Sequence, residues 1–328
     1  MIKTPVCIIT ANNKPLNALI SSRIISVTVT DNRANEADEL SIVLDDSDGA
    51  LELPRRGVKL NCKMGFLGED IHDKGDFVVD ETEWSGTPDL ITVKASSANF
   101  KSKIKEAKSK SYHRKTFGEI ASEIAKNHEL TLVMANDLKS INLSHVDQTN
   151  ESDLNLLQRL AKQNGAEMAV KKDRLLIFKA GSAKSASGKD LPAMILTRND
   201  GDQFRYSEQD RESDHTGVSA SYQDTGKAKR EKAVAGEKGK VKHLKGTFAN
   251  KEEAERASKA KMAEIKRQMA KFSITTADGI PKISTESPMK LMGFKAEVDK
   301  LKWIVEKATH NYSKNGGLTT QLDLEANI

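Results

Sequence analysis

The sequence predicts a mainly β protein with an α/β insert, in the order β, α/β, β. Strand-like alternation of apolar and polar residues appears near both ends of the chain, and helical spacing of apolar residues begins only in the middle. A period of two is typical of half-buried strands, and a period of 3.6 is typical of amphipathic helices. The 328 residues leave room for two or three domains of ordinary size.

Two alternating strands within 24–53 lie near the start of the first region, which we expect to span 1–100. The polar stretch 31–39 that joins these strands is too long for a tight turn. Further alternating stretches follow at 58–66, 77–84 and 90–93. This pattern predicts a small antiparallel β-barrel or sandwich of five or six strands that ends near Phe100.

The middle region, 101–180, begins with a basic connector at 101–111 and then changes period. Thr116 and Glu119 have the spacing of a capping box, in which both side chains accept hydrogen bonds from free amides at a helix start. The same patterns predict a strand at 130–133, a second helix at 151–164 and a hairpin at 167–178. Together these elements predict a compact α/β module.

The β character returns in the last region, 190–328, after a small-residue linker at 180–190. We expect this region to be a second, discontinuous β-barrel, interrupted by the Lys-rich segment 224–245 and a capped helix at 250–271. From Lys227 onwards that segment has eight basic and two acidic residues, so it predicts an exposed loop. A hairpin ends the chain, and the two outer β regions are candidates for diverged copies of one fold.

Charge is divided unevenly along the chain. Residues 1–100 have 16 acidic and 10 basic side chains, a balance of −6, so the remainder of this +5 chain carries +11. Complementary potentials of this kind favour contacts between subunits, although an uneven solvated surface is an equally simple explanation. We hypothesise that acidic residues such as Asp45 and Asp46 face a basic region of a neighbouring subunit.

Compartment signals are few. Cys7 and Cys62 lie in apolar strand-like runs, which predicts two buried thiols and no disulfide. The N-terminus has no secretory pattern, and no apolar run approaches the ~20 residues that cross a bilayer. We therefore expect a protein that is made and folds in a cytoplasm, with no membrane partner.

Candidate catalytic and metal-binding groups are sparse. His145 and Asp147 share a face if they lie in a strand, but no nucleophile accompanies them, so we expect a polar contact in a loop. The acidic cluster around His72 looks like a solvated hairpin tip; it comprises Glu69, Asp70 and Asp73. The histidines lack zinc-type spacing, and no phosphate-binding glycine motif is present. We predict no catalytic residue, no metal and no cofactor.

Several stretches, taken together in order and spacing, resemble the late control D family of contractile-tailed temperate phages, the tail hub proteins. These stretches include TVTDNRANEADELSIVLDDSDG (28–49), LPRRG (53–57), FVVDETEWSGTPDLITVKASSANF (77–100), HVDQTNESDLNLLQRLAKQNG (145–165), TRNDGD (197–202) and WIVEKATHNYSKNGGLTTQLDLE (303–325). The resemblance covers nearly the whole chain, because its fragments run from residue 28 to residue 325.

The resemblance implies a structural, non-enzymatic baseplate hub. Three chains, each with two barrels like those of tail tubes, would form a pseudo-sixfold ring between a hexameric tail tube and a trimeric spike. Its expected partners are the tube and spike proteins, and also baseplate wedge and tape-measure proteins. The expected location is the tail baseplate of a virion or a related bacteriocin, assembled in the bacterial cytoplasm.

Two alternatives remain open at this stage. The Lys-rich segment 224–245 would suit a DNA-binding regulator of late transcription, although no helix-turn-helix or interleaved aromatic residue supports this. A wall-binding or wall-degrading tail protein would use the module at 116–180. That module shows no pair of carboxylates placed for glycoside hydrolysis.

Overall fold

The computed structural model describes residues 3–33, 36–97, 102–171, 173–208, 215–224, 229–237 and 239–327. The predicted mainly β architecture with an α/β insert is confirmed. The expected end of the first region at Phe100 lies outside the described residues, as does Lys227 of the Lys-rich segment. In the part of the chain that is described, no helix is long and apolar enough to span a membrane.

Most strands belong to one thirteen-stranded sheet. Its N-terminal strands are β1 (Pro5–Ala11), β2 (Lys14–Pro15), β3 (Ile24–Asn32), β4 (Glu39–Asp45), β5 (Lys59–Phe66), β6 (His72–Ser85) and β7 (Leu90–Ser96), with helix α1 (Ala18–Ser22) between β2 and β3. Its C-terminal strands are β13 (Met194–Thr197), β14 (Gly201–Glu208), β18 (Ala270–Thr276), β19 (Pro288–Met292), β20 (Trp303–Ser313) and β21 (Gly317–Ala326), with helix α6 (Ala296–Asp299) before β20.

The α/β module lies between these two groups. Its strands are β8 (Ala107–Thr116), β9 (Thr131–Met134), β10 (Asn142–Ser152), β11 (Ala166–Lys171) and β12 (Arg174–Lys179), and its helices are α2 (Phe117–Asn127), α3 (Asn136–Lys139) and α4 (Asp153–Gln163). Thr116 and Glu119 form the predicted capping box at the start of α2. The apolar faces of α2 and α4 pack in a core of their own with β9, β11 and β12.

A smaller sheet interrupts the C-terminal strands. It consists of β15 (Gly217–Asp224), β16 (Lys229–Gly236) and β17 (Val241–Phe248), and helix α5 (Lys251–Gln268) packs against it. The predicted cap of α5 is confirmed, because Asn250 accepts a hydrogen bond from the Glu253 amide.

Two basic segments were wrongly predicted to be irregular. The expected connector 101–111 includes the first half of β8, which pairs with β10, and the expected loop 224–245 contains β16 and much of β17. Both misassignments have one cause. These strands put few apolar side chains into a core, so backbone pairing with a neighbour stabilises them and no alternation appears in their sequences.

The two strand groups repeat one topology. We call β1 with β3–β7 unit 1, and β13, β14 and β18–β21 unit 2. Each unit has six strands, which we number first to sixth in the order of the chain. Across the sheet, the strands of both units follow one another as first, fourth, fifth, sixth, third and second. Their first strands differ, since β1 runs antiparallel to β5 whereas β13 runs parallel to β19. Each unit also has its own apolar core.

Local irregularities repeat as well. The fifth strand of each unit has one bulged residue against the sixth strand, Asp80 in unit 1 and Glu306 in unit 2. Just before each bulge, Val79 and Val305 make matching backbone hydrogen bonds to the chain that leads into the fourth strand. Unit 1 and unit 2 are therefore two copies of one fold, aligned residue by residue at these strands.

Pairing of β3 with β20 joins the two units. The connection after β3 occupies the same topological place, between second and third strands, as the inserted sheet and α5 in unit 2. The polar stretch 31–39, which is too long for a tight turn, is thus the unit 1 counterpart of an insertion.

Candidate functional site

Unit 1, unit 2 and the α/β module meet at a group of charged side chains, which we call the charged junction. Its members are Asp31, Arg33, Asp38, Lys74, Glu167, Lys171, Arg267, Glu286, His310 and Glu325. Arg33, Asp31 and Asp38 all come from the end of β3 or the polar connection after it. The connection therefore brings charged groups of unit 1 to the other two parts of the molecule.

Arg33 lies at the centre of one half of the charged junction. Its Nε is 2.7 Å from Glu286 Oε1, its Nη1 donates to Glu325 Oε1, and Glu167 Oε2 lies 3.9 Å from Nε. Arg267, on α5, approaches Glu325 to 3.2 Å. The Arg33 side chain is only 9% exposed. One guanidinium thus connects β11, β21 and the segment before β19.

Carboxylates outnumber guanidinium groups in this half of the junction. Burial opposes the charge of Arg33, but Glu286, Glu325 and Glu167 outweigh it and raise the Arg33 pKa. Burial raises the pKa of Glu286 to about 7, and it also raises the pKa of Glu167. With three carboxyl groups and two guanidinium groups in a poorly solvated space, one carboxyl retains a proton near neutral pH.

Asp31 lies at the centre of the other half. It accepts a hydrogen bond from Lys171 Nζ at 2.7 Å and one from the Thr285 amide at 3.2 Å. Burial disfavours its charge, but Lys171 and then Lys74 reverse that effect and lower its pKa. The neighbouring Asp38, 2.9 Å from Lys171, has a pKa raised to about 6 by burial and by Asp31.

A buried lysine and histidine extend this half into unit 2. Lys74 Nζ donates to the Pro281 carbonyl at 3.1 Å and lies 2.8 Å from His310 Nε2. Burial and Lys74 lower the pKa of His310 to about 3, so its ring is neutral. Nε2 then accepts from Lys74, and Nδ1 donates to Thr320 Oγ1 at 3.0 Å. The His310 ring therefore links Lys74 on β6 to Thr320 on β21 through hydrogen bonds.

Acidic side chains at the end of β4 accept hydrogen bonds from amides of the turn that follows. Asp46 is only 4% exposed and accepts a hydrogen bond from the Leu51 amide at 2.9 Å. Asp45 accepts from the Ser47 amide at 3.0 Å. Asp48 forms a bidentate pair with Arg23 at 2.5 Å. Asp46 is therefore poorly suited to the subunit contact proposed for it, while that of Asp45 stays a hypothesis.

The expected polar contact between His145 and Asp147 is present, but it lies on strand β10 and not in a loop, because this segment pairs with β8. His145 Nε2 lies 2.8 Å from Asp147 Oδ2, and the nearby Ser111 donates to that carboxylate and not to the imidazole. This order is not that of a nucleophile, a base and an orienting acid. Pairing of β8 with β10 also brings His113 beside His145, which sequence spacing could not reveal.

The other candidate groups have partners of their own. At the β5–β6 hairpin, Glu69 pairs with Lys3 at 3.1 Å and Asp73 accepts from Asn61 at 2.9 Å. His72 lines a cavity beside Asp31. Both cysteines are free thiols, Cys62 buried and Cys7 partly so. Across the described ranges, no group of three or more histidine, cysteine or acidic residues is placed to hold a metal ion.

The Lys-rich segment forms an exposed part of the small sheet. Many lysines of β16 and β17 are exposed, while Ala233 and Tyr222 pack towards α5. DNA binding by this segment stays a prediction.

Comparisons with known proteins agree with this fold. The family model for the phage tail baseplate hub (GPD) matches residues 94–316. Two relatives, each described as a probable baseplate hub protein, come from Escherichia phage 186 and Escherichia phage P2. They are 39% and 36% identical over 99% of this chain, and cover 93% and 94% of their own lengths.

Solved structures show the same fold at low identity. A tail protein from Neisseria meningitidis MC58 matches 98% of this chain and 96% of its own with a TM-score of 0.71 at 11% identity. The Escherichia coli c3393 protein is a type VI secretion component described as structurally similar to T4 tail proteins gp27 and gp5. It matches 96% of this chain and 76% of its own chain, with a TM-score of 0.60 at 10% identity. The chain belongs to the phage tail baseplate hub family, whose members are part of the tail baseplate of the virion.

Proposed function

We propose that this hub acts as a homotrimer whose six units form a ring between a hexameric tail tube and a trimeric central spike. Its role in this proposal is structural, with no catalytic step, and assembly takes place in the bacterial cytoplasm. Further partners are baseplate wedge and tape-measure proteins.

The repeated topology of unit 1 and unit 2 carries this proposal. Both units have the same strand order and matching bulges, so one chain supplies two similar building blocks. Three chains then present six similar blocks towards a sixfold tube while keeping threefold symmetry towards a spike. When one surface binds a different surface of the next copy, the copies form a closed ring if the rotation between them closes.

Relatives of low identity support the link to a spike. The c3393 protein is described as similar to both gp27 and gp5, and a Francisella PdpA–VgrG complex matches all of this chain and 58% of its own with a TM-score of 0.55. The charged junction also supports the proposal, because its ion pairs join unit 1 to unit 2 within each chain.

Native mass measurement of the purified chain, alone and with its spike protein, tests the proposal. We expect a trimer alone and a complex of three hub chains with three spike chains. A chain that stays a monomer at micromolar concentration and does not bind the spike would contradict it.

A further inference from the structure

Asparagine is followed by glycine at two places in the chain, Asn164–Gly165 and Asn315–Gly316. Asparagine is one of the thermolabile residues of proteins, because its side-chain amide can be lost to attack by the next backbone nitrogen. Glycine favours this attack, since it has no side chain to shield its own nitrogen and its backbone is the most mobile. The surroundings of the two sites differ, and they decide where the reaction takes place.

The second site lies in the turn 314–316 between β20 and β21. Lys314, Asn315 and Gly316 are all exposed, and the Asn315 side chain has no hydrogen-bond partner among the residues that the structure describes. The Gly316 amide donates to Ser313 Oγ at 2.9 Å, in a bond that is itself exposed. The Asn315 side chain can therefore rotate towards the Gly316 nitrogen without loss of any contact of its own.

The first site is held in place at the end of α4. Asn164 Nδ2 donates to the Leu160 carbonyl at 2.8 Å, and Asn164 Oδ1 accepts from Arg256 Nε at 3.1 Å. The Gly165 amide donates to the Lys162 carbonyl at 3.2 Å. Rotation of the Asn164 side chain towards Gly165 would break both of its hydrogen bonds, so the fold protects this asparagine.

We propose that Asn315 is a site of spontaneous covalent modification, where the hub is converted with time to aspartate and isoaspartate forms. The Gly316 nitrogen forms a bond to Asn315 Cγ, and Nδ2 leaves as ammonia with the hydrogen that the Gly316 nitrogen gives up. The product is a cyclic imide, which water opens. Cleavage between the nitrogen and Cγ gives aspartate, and cleavage between the nitrogen and the α-carbonyl carbon gives isoaspartate. Water is the co-reactant, and no group is oxidised or reduced.

The turn that carries Asn315 lies against unit 1. The Lys314 amide donates to the Ile25 carbonyl at 3.3 Å, and Lys314 Nζ donates to the Ser22 carbonyl at 3.1 Å. The last pair of the β3–β20 contact, Ser26 opposite Ser313, is directly beside the turn. A change in the turn therefore acts on one end of the contact that joins unit 1 to unit 2.

Isoaspartate changes this turn more than aspartate does. Its main chain runs through the former side chain, which lengthens the backbone by one carbon atom and leaves a new carboxylate beside Lys314. Ser313 pairs with Gly317, so the connection is short, and its length fixes the register of the hairpin. We therefore expect the hydrogen bonds of Lys314 to unit 1 to weaken and the adjoining end of the β3–β20 contact to open.

Incubation of the purified chain at pH 8, followed by peptide mass mapping, tests the site. The peptide with Asn315 should gain the mass of an amide-to-acid conversion, whereas the peptide with Asn164 should stay unchanged. Hydroxide removes the Gly316 amide hydrogen, so conversion should be several-fold slower at pH 6. In urea both asparagines should convert at similar rates, since the fold alone protects Asn164. An isoaspartyl methyltransferase assay measures the isoaspartate that is formed.

Two variants serve as controls. Asn315→Gln should abolish conversion in the turn, because ring closure from the longer side chain is much less favourable. This variant also measures the isoaspartate that arises at Asp–Gly sequences, namely Asp48–Gly49, Asp200–Gly201 and Asp278–Gly279. Gly316→Ala should slow conversion several-fold, because its methyl group shields the attacking nitrogen. A Cβ at position 316 lies 2.6 Å from Ser313 Oγ, so this hydroxyl must rotate away.

Hydrogen exchange, measured by mass spectrometry, tests the effect on unit 1. In the incubated native chain, the amides of 22–27 should exchange several-fold faster than in the fresh chain. The incubated Asn315→Gln variant should exchange like its own fresh sample.

The outcomes separate the site from its effect. A folded chain in which Asn315 stays intact, while both asparagines convert in urea, would overturn the modification site. Conversion of Asn164 in the folded chain as fast as that of Asn315 would overturn the protection by α4. Conversion of Asn315 with unchanged exchange over 22–27 would overturn the effect on the contact between the units.

Discussion

Replacement of Arg33 by alanine is expected to lower the free energy of unfolding by about 3–5 kcal/mol, the usual cost of removing one partner from a buried ion pair. Glu167, Glu286 and Glu325 would lose the guanidinium that they share in a poorly solvated space. Urea denaturation of the purified chain measures this loss. Because Arg33 connects unit 1 to both other parts, we also expect the module to become sensitive to protease before the units unfold.

Arg23→Ala is the matched control for this substitution. Arg23 also pairs with a carboxylate, but its partner Asp48 is 56% exposed, so water replaces the lost contact. We expect its unfolding curve to overlay that of the native chain. An Arg33→Ala curve that also overlays the native one would show that the charged junction does not stabilise the fold.

Glu286→Gln is expected to stabilise the chain at pH 8 by up to about 3 kcal/mol and to have little effect at pH 5. Burial raises the Glu286 pKa from 4.5 to about 7, so between these values the folded chain holds a proton that the unfolded chain has released. The stabilisation is therefore complete below pH 4.5 and is lost as the pH rises through 7. Glutamine resembles the protonated side chain at every pH.

Denaturation at a series of pH values checks this prediction. The native chain should lose stability between pH 5 and 8, and Glu286→Gln should lose much less. A residual slope below about pH 6 is expected from Asp38, whose pKa is raised to about 6. Glu81→Gln is the control, because it removes only an exposed ion pair with Lys94. It should reproduce the native pH profile. A native profile that is flat from pH 5 to 8 would contradict the assignment.

Local sequence patterns were sufficient to locate a helix or strand where that element buries an apolar face of its own. Alternation located β3, β4 and β5 because Val27, Leu40 and Cys62 point into a core. Capping residues located the starts of α2 and α5, since Thr116 and Asn250 bond amides of their own helices. The same reasoning failed for β8, β16 and β17, whose exposed, lysine-rich faces show no such pattern.

The functional contacts were harder to predict. Asp31 and Arg33 stood out only as members of an unexplained polar stretch, because their partners lie 140 and 292 residues away along the chain. The contact of His113 with the candidate His145 was not predicted, because spacing rules search within one element and this contact crosses two strands. For Asp46 the charge pattern suggested a contact with another subunit. The structure shows instead that its carboxylate accepts a hydrogen bond from the Leu51 amide in the same turn.

The sequence by itself determined the mainly β class, the α/β insert and the membership in the hub family, because these depend on local periodicity and on the order of short segments. The tertiary structure alone decided that unit 1 and unit 2 share one strand order, and that Asp31, Arg33 and Asp38 connect all three parts. The physical reason is that pairing between distant strands and ion pairs across a junction leave no periodic trace in either partner.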